Sequence, residues 1–173
     1  MSLRRWLGLS EDPAESAFTG LEEIERALED LEPERARFVA CFAYILGRVA
    51  RADHTVTEEE SGQMERLVSE LAGLPATQAS LVVRLATARG LRHGGTEDYL
   101  VTREFARIAD RDQRLALLEC LYTLSSADRA IVVLEDNEVR RIASELKLEH
   151  SDFITARSAY LQHLKVLGRS EDE

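Results

Sequence analysis

An all-α fold, a single domain of about eight helices, is predicted by three observations. Apolar residues recur at steps of three and four along nearly the whole chain, the spacing that lines one face of a helix. Cap and stop residues punctuate those stretches at helical lengths. Only Ala130 to Leu134 alternates with period two, and five residues are too few to build a sheet. The helices are organised around two copies of a helix–acidic loop–helix unit, Cys41 to Leu71 and Ala116 to Leu146, at a constant offset of 75 residues. Eight of 31 paired positions are identical: Leu46/Leu121, Ala52/Ala127, Asp53/Asp128, Glu60/Glu135, Arg66/Arg141, Ser69/Ser144, Glu70/Glu145 and Leu71/Leu146. Composition alone would give roughly two matches, so the expectation is an internal duplication.

The elements follow in order. Residues 1 to 13 form an N-terminal arm in which Leu3, Trp6, Leu7 and Leu9 flank Arg4 and Arg5. It is read as packing on the body, with contact to a membrane surface as the alternative. A helical domain is expected from residue 14 to 168, and 169 to 173 form a polar tail. Ala14 to Leu31 places Leu21, Ile24 and Leu28 on one side, with a possible break near Gly20. Pro33 opens the most apolar helix, Glu34 to Ala52, read as the buried centre. Thr57-Glu58-Glu59-Glu60 has the form of a capping box, and the helix it starts stops at Gly73 with Pro75 beyond. Thr77 to Gly90 is helical, His93-Gly94-Gly95 connects, Thr96 caps the next helix and Asp110 the one after. Ser151 is read as the cap of a last helix carrying Phe153, Ile154, Tyr160, Leu161 and Leu164.

Composition narrows the function classes. The chain has 173 residues, enough to bury a real core. It contains no apolar run near the roughly 20 residues needed to span a bilayer. No secretory signal is legible at its start, so a cytoplasmic location is expected. Cys41 and Cys120 are isolated and read as reduced core residues. The net charge is −10, and Glu11 to Glu34 alone holds ten acidic residues against Arg26. Phosphate neutralisation needs clustered Lys and Arg, so nucleic acid is not an expected partner. Nucleophile-elbow, phosphate-loop, dinucleotide and His-Glu-x-x-His motifs are all absent, and the four histidines are scattered through loops and helix ends. The chain is therefore read as not an enzyme, and a metal-dependent hydrolase is the least favoured class.

The residues able to carry chemistry are Asp53, Glu60, Asp128 and Glu135, with His54 beside the first. Paired carboxylates repel unless a cation or a shared proton lies between them. Oxygen ligands suit Ca²⁺ or Mg²⁺, and His54 would turn the first copy toward Zn²⁺. A purely structural role competes: Glu60 is explained by a bond back to the Thr57 amide, and Asp53 by free amides of its loop. Val132 replaces the capping Thr in the second copy, so the box does not explain Glu135, and Asp136 and Glu138 add charge.

The loops carry a resemblance. Ala52-Asp53-His54-Thr55-Val56-Thr57-Glu58-Glu59-Glu60 and Ala127-Asp128-Arg129-Ala130-Ile131-Val132-Val133-Leu134-Glu135 both resemble the Ala-Asp-Gly-x-(Ile/Val)-x-x-x-Glu signature of the TerB-like family. This family takes in tellurite-resistance proteins and the N-terminal domain of the co-chaperone DjlA. The likeness covers roughly Phe38 to Leu164 and lacks the His-Pro-Asp tripeptide of a J-domain. It implies a non-enzymatic module of a bacterial stress or tellurite-resistance-type response acting through protein–protein contact. The alternative it implies is a divalent-cation sensor or buffer using the acidic positions. One departure stands out: the signature Gly is His54 in one copy and Arg129 in the other. Glycine there suggests positive φ, which His tolerates better than Arg, so the second loop is expected to differ in shape.

Overall fold

The structure, a computed structural model, describes residues 19–88, 96–127 and 131–161. The N-terminal arm, the His93-Gly94-Gly95 connector, Asp128 with Arg129, and the polar tail lie outside the described residues. Eight helices are described: α1 (Thr19–Arg26), α2 (Pro33–Ala50), α3 (Glu58–Ala72), α4 (Ala76–Ala88), α5 (Thr96–Ile108), α6 (Arg111–Ser125), α7 (Val133–Glu145) and α8 (His150–Ser158). Among the described residues there is no strand. None of the described helices is long and apolar enough to cross a membrane.

Helix α2 is the axis of the molecule. It packs against α1, α3, α4, α5, α6 and α7, and from Val39 to Ala50 every residue is buried. A helix apolar on all sides has no face to give to water, so the remaining helices must surround it. Phe42 and Leu46 of α2 are buried, as are Leu117 and Leu121 of α6, the helix packed beside it. Helix α1 covers α2 and α4 with Leu21 and Ile24, and Leu28 in the turn after it is buried as well. At the other side α8 closes over α6 and α7, with Phe153 buried and Tyr160 stacked on Tyr122 at 5.6 Å.

The close approach of α2 and α4 depends on Gly47. A Cβ built there would stand 2.7 Å from the Ala86 carbonyl oxygen, which also accepts a hydrogen bond from Arg51. Backbone oxygen cannot step aside as a flexible side chain does, so Gly47→Ala is expected to destabilise by about 1–3 kcal/mol despite alanine's better helix propensity. Urea unfolding of the variant checks this; a stabilised variant would mean that the helices separate without penalty.

Several boundaries differ from the sequence expectations, each for a local reason. The first helix does not run to Leu31 but ends at Arg26. The Leu28 amide bonds the Glu25 carbonyl and the Leu31 amide bonds the Leu28 carbonyl, both at 2.9 Å, so the chain tightens into turns. Glu32 is then extended (φ −51°, ψ 137°), as the residue before Pro33 must be. Gly20 is buried as the second described residue of α1, and residues 14–18, on the far side of the expected break, lie outside the described residues. Helix α5 is described from Thr96 onward, and residues 89–95 before it lie outside the described residues. Ser151 is not the cap of the last helix. Glu149 holds that position, and its amide donates to Asp152 Oδ2 at 3.0 Å. That helix ends at Ser158, leaving Ile154 and Leu161 exposed, while Leu164 falls outside the described residues.

A charged residue sits in the apolar centre. Arg48 of α2 is buried, with its Nε donating to Glu138 and its Nη2 to Glu145 Oε1 at 3.1 Å, both on α7. Its Nη1 donates to Thr102 Oγ1 at 2.9 Å and to the Asp98 carbonyl at 3.3 Å on α5. One guanidinium thus pins three helices together, since a buried cation is tolerated only where paired and hydrogen-bonded.

Candidate functional site

The first acidic loop turns at His54, which has φ 68° in the left-handed region, as expected for the residue in place of the signature glycine. Asp53 Oδ1 accepts from the Thr55 amide at 2.9 Å, a local turn that prepares the chain to enter α3. Thr57 then closes a full capping box. Its hydroxyl accepts from the Glu60 amide at 3.1 Å, while Glu60 Oε2 accepts from the Thr57 amide at 2.8 Å and from its hydroxyl at 3.0 Å. Glu60 is therefore aimed back into the loop and buried.

In the second unit Val132 has no hydroxyl to offer, but the part of the box that concerns Glu135 survives. The Val132 amide donates to Glu135 Oε2 at 2.9 Å, contrary to the expectation that no cap would explain this residue. Only the backbone amide of the cap residue is required for that bond, and valine supplies it as well as threonine. Glu135 is buried to the same degree as Glu60, each with 5 % exposure.

The two carboxyls, 75 residues apart in sequence, meet and hydrogen-bond to each other, with Asp53 close enough to add its charge to both. Burial is the main reason why both acids are raised above the ordinary carboxylate range, Glu135 to about 8. The neighbouring charges of Glu60 and Asp53 push Glu135 further. Which carboxyl keeps the proton follows from the donors. Glu60 accepts from both an amide and a hydroxyl of Thr57, whereas Glu135 accepts from the Val132 amide. The ionised form is better solvated at Glu60, so Glu135 carries the proton and donates it to Glu60.

Nearby charges expected to enlarge the cluster are spent elsewhere. Asp136 accepts from the Tyr122 hydroxyl at 2.9 Å and is paired with Arg157 at 3.0 Å. Glu138 is held by Arg48. His54 is exposed, and Asp128, the fourth predicted ligand, lies outside the described residues. Among the described residues no three His, Cys, Asp or Glu side chains group in the way a metal ion needs. What remains is a buried pair, Glu60 and Glu135, each with one oxygen committed to a cap, and Asp53 alongside. Its chemistry is that of carboxylate oxygens sharing one removable proton.

The surface around the pair is mixed: Glu58 and Glu59 are exposed on the side of α3, and Val133 and Leu134 on the side of α7, at 40 % and 54 %. Sequence reasoning did not single out Arg48, although a lone arginine inside the most apolar run is the signal that reveals a buried ion pair.

Comparison with known proteins adds one match. The family model described as "Tellurite resistance protein TerB" matches residues 38–158, a span that contains both loops and α2 to α8 almost entirely. No curated protein matches the chain, nor does any solved structure.

Proposed function

Because the chain belongs to the tellurite resistance protein TerB family, we propose that it works as a non-enzymatic helical module of a tellurite-resistance-type response, holding a divalent cation between its two acidic loops. The observation that carries this reading is the meeting of Glu60 and Glu135 across 75 residues of sequence. Capping alone accounts for one oxygen of each carboxyl; it gives no reason for the two to face each other, and the pair avoids like-charge repulsion only by holding a proton between them. A cation would take that proton's place. Oxygen-only donors favour Ca²⁺ or Mg²⁺; Glu60 and Glu135 would each bring an oxygen, and Asp53 and Asp128 of the two loops would have to close onto the ion to complete the set. The bound ion would supply charge neutralisation alone, fixing the first turns of α3 and α7 against each other. The exposed Val133 and Leu134 beside the pair supply an apolar surface on which a protein partner would sense that change.

Melting temperature measured against Ca²⁺, Mg²⁺ and Zn²⁺ tests the proposal. A ligand of the native state at 100 times its dissociation constant adds about 2.7 kcal/mol, and the parent is expected to show such a saturable gain with Ca²⁺ or Mg²⁺. Asp53→Asn with Asp128→Asn should abolish it while leaving both Glu caps intact. A stronger response to Zn²⁺ that is lost in His54→Ala would move the site toward nitrogen ligation. No response to any of the three ions would leave the loops as helix caps and overturn the reading.

A further inference from the structure

At the end of the α2–α3 hairpin opposite the acidic loops, a groove of about 370 Å³ opens between α2, α3 and α6. Phe42 and Leu117 form its floor, and Phe38, Leu67, Leu71 and Cys120 its walls. Leu71 is exposed at 37 %, and Phe38, Leu67 and Cys120 are only partly buried, so an apolar channel faces outward. The charged side chain of its lining is Glu70, Glu119 stands near enough to act with it on the Cys120 thiol, and Arg35 donates to the Leu71 carbonyl at 3.3 Å. The groove therefore suits a short amphipathic segment with apolar residues at helical spacing and basic residues beside them.

The chain carries such a segment outside the described residues. Leu3, Trp6 and Leu7 have the spacing of one helix face, and Arg4 and Arg5 lie next to them. We infer that the α2–α3–α6 groove is the seat of the chain's own N-terminal arm, Leu3 to Leu9, with Trp6 between Phe38 and Leu71 and the arginines toward Glu70 and Glu119. Residues 10–18 tether the arm to Thr19 at the start of α1. Being attached, the arm is present at an effective concentration no free peptide would match. Seated there, it covers apolar surface that would otherwise be open to a second copy or a membrane, and any partner competing for the groove must first displace it.

The protein carries its own probes for a test. Trp6 is its single tryptophan, and Cys41 is fully buried, so Cys120 is the thiol that the groove exposes. In the full chain, Trp6 emission is expected to be blue-shifted, independent of protein concentration, and unchanged by anionic phosphatidylserine vesicles. Leu71→Glu should shift it toward the red while circular dichroism shows the fold retained. In Trp6→Ala with Leu7→Ala, alkylation of Cys120 by iodoacetamide at fixed pH should accelerate about tenfold, the factor for an arm seated roughly nine-tenths of the time. An unchanged alkylation rate together with solvent-like Trp6 emission would overturn the inference. So would emission that moves blue only on adding vesicles, emission that depends on protein concentration, or protection of Cys120 that is lost instead on removing residues 162–173. Because the acidic loops lie at the other end of the hairpin, the cation titration and this test succeed or fail separately.

Discussion

Replacing Arg48 by Met is expected to destabilise the protein by about 3–5 kcal/mol, a large part of the roughly 5–15 kcal/mol that holds a domain of this kind together. The methionine fits the apolar surroundings, so the loss comes from what it leaves behind. Glu145, whose side chain is 10 % exposed, would keep its charge without a counter-ion, and Glu138, 15 % exposed, would keep only the exposed Arg141 at 3.3 Å. Thr102 and the Asp98 carbonyl would lose a donor as well. At about 2–4 °C per kcal/mol for a chain of this length, the melting temperature should fall by roughly 10 °C or more. The triple variant Arg48→Met, Glu138→Gln, Glu145→Gln tests the cause. Removing the orphaned charges should restore much of the loss, because a buried ion pair replaced as a unit is often close to neutral. A single variant that melts within a degree or two of the parent would show that water reaches the network and that it pins nothing.

Glu135→Gln should change the pH dependence of stability in the opposite sense to the usual carboxylate. The Glu135 acid is raised to about 8 in the folded protein against an ordinary value of 4.5, chiefly by burial. Between those two pH values the folded state holds a proton that the unfolded state has released, so stability falls as pH rises through this window, by up to about 1.4 kcal/mol per pH unit. Below the lower value and above the upper one this group contributes no slope. Glutamine keeps an oxygen for the Val132 amide and removes the proton from the balance. The variant's unfolding free energy, measured in urea at intervals from pH 5.5 to 8.5, should therefore lie on a flatter curve, with the gain over the parent growing toward pH 8. Parallel curves would show that the two carboxyls do not share a buried site. A saturating divalent cation should flatten the parent's curve in the same way if it takes the proton's place.

The candidate site was half legible in sequence. Asp53, Glu60 and Glu135 were named from their spacing, and the His54 backbone followed from the glycine it replaces. The loss of the capping hydroxyl at Val132 was also visible, but not that its amide would still hold Glu135, because a backbone donor is present whatever the side chain. Asp136 and Glu138 were counted as further charge. Their neutralisation by Arg157 and Arg48 depends on residues 21 and 90 positions away.

Local physics was enough for the rest of what the sequence settled by itself: the all-α class, α2 as the buried centre, the capping box at Thr57, the cap at Asp110, and the stop at Gly73 with φ 65°. Each of these rests on residues within a turn or two of one another, where propensity, capping and period act directly. Tertiary structure alone decided which faces meet. A period of 3.6 marks the face a helix buries but not the helix it is buried against, so the Arg48 clamp across α2, α5 and α7, the approach of Gly47 to Ala86, and the meeting of Glu60 with Glu135 were set by how the other described helices pack around and beside α2.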